Sequence, residues 1–143
     1  MARLIKPSLA LAAAALLAFV VAACGSTVST SKFKGEQREV AQAISNLQSD
    51  ARAGDQNKLC TNDLAGPVLA RLSTARGGCK QALKGQLTQL DNFDVTVESV
   101  QVAGTTAKRT ATAKVKSVYN GKKRVTTVSL VKEGGKWKTL SVM

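Results

Sequence analysis

The chain has 143 residues, 21 basic against 9 acidic side chains for a net charge of +12, and no histidine. That length leaves room for one domain with its own core and too little for two. The missing histidine removes the usual base partner of a serine or cysteine nucleophile and the usual completing ligand of a zinc site.

Arg3 and Lys6 precede an apolar run from Leu9 to Val21, which ends in Val21-Ala22-Ala23-Cys24. These are the parts of a secretory signal: a cationic start, an apolar stretch of about 15 residues and small residues before a cut. The tetrapeptide resembles a lipobox, the recognition site of bacterial lipoprotein processing. That resemblance implies cleavage before Cys24, acylation of its thiol with palmitate-type chains, and a lipid anchor on the extracytoplasmic face of the cell membrane. The apolar run falls short of the about 20 residues that a spanning helix needs. Residues 1–23 are therefore expected to be a signal peptide rather than an anchor.

Cysteine arithmetic points the same way. Three cysteines in an exported chain leave one unpaired; an acylated Cys24 takes the odd one, and Cys60 and Cys79 remain to form a disulfide. No CxxC spacing offers a redox or metal pair. No metal ion and no cofactor are expected.

Residues 24–35 are small and polar, with only Val28 and Phe33 to bury, and read as the lipidated cysteine and a flexible tether. Residues 36–143 read as the folded domain. Val40, Ile44, Leu47 and Ala51 form one stripe of an amphipathic helix that Gly54 is placed to end. Asp55 stands where an N-cap would, ahead of a short helical turn with Leu59, Cys60 and Leu64. Gly66-Pro67 opens a third helix, stopped by Gly77-Gly78, and Cys79 to Leu90 makes a fourth.

From Phe93 the period changes to two. Val95 and Val97, then Val100 and Val102, predict a strand with a bulge near Glu98-Ser99. Gly104 is expected to make the turn into a second strand from Ala107 to Tyr119. Asn120-Gly121 predicts a two-residue hairpin turn. If Tyr119 opposes Lys122, then Val115 pairs with Thr126, Ala113 with Val128 and Ala111 with Leu130, and these six share the core face. Lys114, Lys116, Thr110 and Thr112 fall on the back. A final strand carries Trp137, Leu140 and Val142 in an ambiguous register. The fold class expected is α+β, with N-terminal helices packed on the concave face of a four-stranded antiparallel meander.

This order of elements resembles the nuclear transport factor 2-like superfamily, the cone-shaped α+β fold, and especially its small secreted bacterial lipoproteins. The resemblance rests on Asp50-Ala51-Arg52-Ala53-Gly54-Asp55 ending the first helix, a cysteine in the next turn, Cys79 opening the following helix, and the terminal Gly135-Lys136-Trp137-Lys138. It implies helices folded over a concave sheet, often with a pocket between them. Enzymes with this cone rely on Asp/His or Tyr/Asp constellations; this chain has no histidine and places Tyr119 at a hairpin tip, so no catalytic residue is carried over.

The small Ala111 and Ala113 at the centre of the concave face are expected to let a helix pack close; a pocket, if the cone holds one, is expected over Ala111, Ala113 and Val128, beneath Val40 and Ile44, with Trp137 plugging the core. Asp91 and Asp94, like Asp50 and Asp55, read as turn and helix-end residues. Residues 108–143 hold ten basic side chains against one acid, Glu133. Lys114, Lys116, Lys122, Lys123 and Arg124 make this region a candidate contact for anionic envelope polymer, lipid head groups or another envelope protein. Nucleic acid is excluded by export and by the absence of interleaved aromatics. The function expected is non-catalytic ligand binding or protein interaction in the cell envelope. The alternative, a small hydrolase or isomerase, needs a partly buried acid facing the cone pocket, and the sequence offers none.

Overall fold

A computed structural model describes residues 29–87, 93–119 and 121–142. The expected signal peptide, the tether through Val28 with Cys24, and the positions Leu90, Asp91 and Asn120 lie outside the described residues.

Helix α1 (Gly35–Arg52) buries Val40, Ala41, Ile44 and Gln48, while Leu47 and Ala51 on the same stripe are half-buried. It ends as expected: Gly54 takes φ +66°, a conformation glycine adopts without steric cost. Asp55 then caps the next turn, α2 (Gln56–Lys58), its carboxylate accepting from the Lys58 amide at 3.0 Å. The chain continues as a π-helical turn (Leu59–Asp63), closed by the Leu64 amide donating to the Leu59 carbonyl at 3.1 Å. This wider turn brings both Leu59 and Asp63 inward.

Helix α3 (Gly66–Ser73) opens with Pro67, and the Glu133 carboxylate accepts from the Gly66 amide at 3.1 and 3.2 Å. An anion at this end is favoured by the free amides of the first turn. Helix α4 (Gly78–Leu87) starts one residue before Cys79. Cys60 and Cys79 are joined by a disulfide, with their Cα atoms 6.2 Å apart, tying the π-helical turn to the start of α4.

Strands β1 (Phe93–Thr105), β2 (Lys108–Tyr119), β3 (Lys122–Glu133) and β4 (Lys136–Val142) form one antiparallel sheet in sequence order. The β2–β3 ladder has the expected register, with Tyr119 opposite Lys122 and Ala113 opposite Val128. The β1 bulge falls between Val97 and Ser99. Gly104 does not make the turn; it lies within the ladder opposite Arg109, and the chain reverses at Thr106-Ala107. Its glycine serves close approach instead, since at φ +91° a Cβ there would stand 2.2 Å from the Lys108 carbonyl oxygen. A second bulge, between Ser129 and Leu130, settles the last strand: Thr139 opposes Leu130 and Val142 opposes Val128.

The core lies between α1 and the sheet. Val40, Val97 and Leu130 are the largest side chains with essentially no exposure. The first half of α1 is pinned over the far end of the sheet: Gln37 donates to the Val100 carbonyl at 3.0 Å, and Glu36 pairs with Arg109. Among the described residues, no helix is long and apolar enough to cross a membrane.

Candidate functional site

The pinned start of α1 decides where space is left. Ala111 and Ala113 are 3% and 1% exposed and pack in the core with Val40. Their small side chains let α1 come close, so the sheet beneath its first half is filled rather than hollow. The expected pocket over these two alanines is replaced by one displaced along the sheet, toward the β2–β3 hairpin.

That cavity measures about 340 Å³, at the small end of the roughly 300–1,000 Å³ typical of ligand pockets. Its roof is Ile44, Leu47 and Ala51 from α1, with Leu83 and Leu87 from α4. Leu59, which opens the π-helical turn, and Leu64, which follows it, close one side. The floor is Val95, Val115, Thr126, Val128 and Val142. Among the described residues, polar groups enter only through Gln48, Gln86, Thr126 and Thr139, and no titratable side chain lines the cavity. Of the residues expected at a pocket, Ile44 and Val128 are here; Val40, Ala111, Ala113 and Trp137 are core residues.

A second hollow, a polar cleft, lies on the other side of α1 between Glu39, Asn46 and Asp50, the π-helical turn and the Gly135-Lys136-Trp137 segment. Trp137 is 5% exposed, and its indole N–H donates to Glu39 Oε2 at 3.2 Å. Lys132 donates to the same oxygen at 3.0 Å and holds the Glu39 carboxyl below its ordinary range, with the indole adding to the effect.

Asp63 lines this cleft and was missed by sequence reasoning. It is 8% exposed, and its Oδ2 is buried without a hydrogen-bond partner. Burial pushes its carboxyl up to about 7, helped by the charge and hydrogen-bonding capacity of Asp50 and opposed by Lys58. Lys58 stands 3.5 Å from Asp50 and 3.6 Å from Asp55, so its charge is shared. The readable signal was spacing: Asp63 follows Leu59 by four residues, which in any helical turn puts it on the same inward side. A buried acid therefore exists, but it faces the polar cleft and not the cone cavity.

The five candidate cations divide by register. Arg124 opposes Ser117, which is buried on the concave face and pairs in turn with Val95 of the cavity floor. Arg124 and, two residues on, Lys122 thus continue the Thr126–Val128 row past the cavity. Lys114, Lys116 and Lys123 alternate to the back of the sheet, in line with Thr127 and Val125. None of the five makes an ion pair among the described residues, and four are exposed with Lys116 half-buried.

No protein-family model matches the chain, and no curated protein sequence does. Among solved structures it is similar to a Streptomyces avermitilis protein described as "a putative dehydratase from the NTF2-like family". That alignment has a TM-score of 0.52 at 14% identity and covers 75% of this chain and 92% of the other. A Shewanella frigidimarina protein described as "a putative ketosteroid isomerase" aligns with a TM-score of 0.45 at 15% identity, over 73% and 92% of the two chains. The fold is the nuclear transport factor 2-like cone, four helices followed by a four-stranded antiparallel sheet. Identity this low speaks for the fold alone.

Proposed function

We propose that this chain is a lipid-anchored envelope protein whose cone binds a small apolar ligand without transforming it. The observation that carries the reading is the cavity of about 340 Å³, apolar on roof and floor and, among the described residues, lined by no titratable side chain. Such a lining gains binding energy from buried apolar area, about 25 cal/mol per Å², and has no group that can move a proton at a reacting atom. The lipobox-like Val21 to Cys24 supplies the expected anchor, which two or more acyl chains make firm where one is marginal. Lys114, Lys116 and Lys123 on the back of the sheet, without an ion pair among the described residues, suit an anionic envelope surface.

The test is saturable binding of the neutral dye N-phenylnaphthylamine to the purified protein, with one site per chain, and its loss in Thr126→Phe, which fills the cavity from the floor. Absence of saturable binding by the wild type removes the proposal. An isomerase or hydrolase related to the proteins it resembles in fold is the second reading, favoured by one observation: Asp63 is a buried acid that keeps its proton to about pH 7. Turnover in that case belongs to the polar cleft, and it would vanish in Asp63→Asn while dye binding stayed.

A further inference from the structure

The cavity and the hairpin tip belong to the same end of the sheet. The cavity floor includes Val95, Val115 and Thr126, and the next row outward, toward the tip, is Val95, Ser117 and Arg124. One row further, Lys122 opposes Tyr119. Arg124 and Lys122 therefore stand on the concave side, in phase with the floor, with exposed side chains and no ion pair among the described residues. Among the described residues, the acid at this end of β1 is Asp94, which opposes Val118 in the alternate row and is engaged by Arg52 at 3.5 Å.

We infer that the ligand is a single-chain amphiphile with an anionic head: its alkyl chain lies in the cavity and its head meets Arg124 and Lys122 at the rim. This rests on the apolar-ligand reading above and adds the sign of the head group to it. The physical reasons are two. An apolar lining cannot select among alkyl chains by their heads, so selectivity has to come from the rim. A guanidinium with its donors unspent offers a paired, charge-assisted contact to a carboxylate or phosphate, which a neutral hydroxyl cannot match and an ammonium would oppose. The back-face lysines take no part, because the pleat turns them to the other side of the sheet.

Displacement of N-phenylnaphthylamine by four twelve-carbon compounds, at low salt and pH 8, tests this. Dodecanoate and dodecyl phosphate are expected to displace the dye at concentrations at least tenfold below dodecanol, with dodecylamine weakest. The order of the two anions identifies the preferred head. In Lys122→Glu/Arg124→Glu the neutral dye should bind as in the wild type while the preference reverses toward dodecylamine. Lys114→Glu/Lys116→Glu on the back face should leave the wild-type order intact. Equal displacement by dodecanoate and dodecanol, or an anion preference that survives charge reversal at 122 and 124, overturns the inference while leaving the cavity reading in place. Failure of the wild type to bind the dye at all overturns both.

Discussion

Asp63 brings its carboxyl group to that of Asp50 at the wall of the polar cleft, and the Asp63 carboxyl keeps its proton to about pH 7. Burial is the first cause and the neighbouring negative charge the second. Aspartates of the unfolded chain titrate near 3.9, so the folded protein binds this proton more tightly. Its contribution is intact at low pH and is lost as pH rises from about 4 to about 7. Asp63→Asn keeps a donor toward Asp50 and removes the charge. Urea unfolding between pH 4 and 8 should show a flatter profile for the variant and a stability above wild type at pH 8 by on the order of 2 kcal/mol. A variant less stable than wild type at pH 8 would mean that the ionised carboxylate is what the fold needs.

The disulfide ties together segments that do little to hold themselves. The π-helical turn has five residues and α4 has ten, both short of an independently stable helix. Cys60 and Cys79 are 19 residues apart. In the chain-entropy account a loop of that size is worth about 3 kcal/mol. Cys60→Ala/Cys79→Ala should lose about that much in chemical denaturation. Because Leu59 and Leu83 line the cavity beside these cysteines, dye affinity should fall with it.

Two positions on the concave face of neighbouring strands, one in the core and one on the cavity floor, should respond oppositely to added volume. Ala113 is 1% exposed in a filled region, so Ala113→Leu should cost roughly 1–3 kcal/mol through overpacking. Thr126 faces open space in the cavity, so Thr126→Ile should change stability by less than about 1 kcal/mol while weakening dye binding. Thermal unfolding of both variants checks the pair. Equal losses would mean that the void is not where the structure places it.

Processing at Cys24 has a direct readout. Protein made in a lipoprotein-processing bacterium should begin at Cys24, carry added acyl mass, and show no alkylatable thiol until reduction. Intact mass with and without reduction tests the anchor and the disulfide separately. An unprocessed mass with Cys24 free would remove the lipid anchor from the proposed function.

Register and layer order were legible because they depend on local chemistry. The Tyr119–Lys122 pairing, and with it the alignment of Ala111, Ala113 and Val115 against β3, followed from alternation on either side of the hairpin. The β1 bulge showed as a slip in the valine period, the Asp55 cap as a polar residue ahead of a helical turn, and the cysteine pair as arithmetic. The Gly104 turn was misplaced because a glycine marks a positive φ or a close approach without saying which side of the reversal it occupies.

The position of the hollow was decided only in three dimensions. Sequence places Val40, Ile44, Ala111 and Ala113 on facing surfaces but carries no information on how far apart α1 and the sheet settle. That separation is set by long-range contacts such as Gln37 to Val100 and Glu36 to Arg109, which press one half of the helix onto the alanines and leave the other half lifted. The same holds for Asp63, whose raised carboxyl depends on burial between packed segments and then on Asp50 arriving from another helix. It holds too for the split of the basic cluster, since sharing a rim with a cavity is a property of packed layers. By itself, the sequence determined the strands and the register of the β2–β3 hairpin, because each is set by neighbours along the chain or across one turn. The tertiary structure decided where space and buried charge remain, because both depend on surfaces brought together from distant segments.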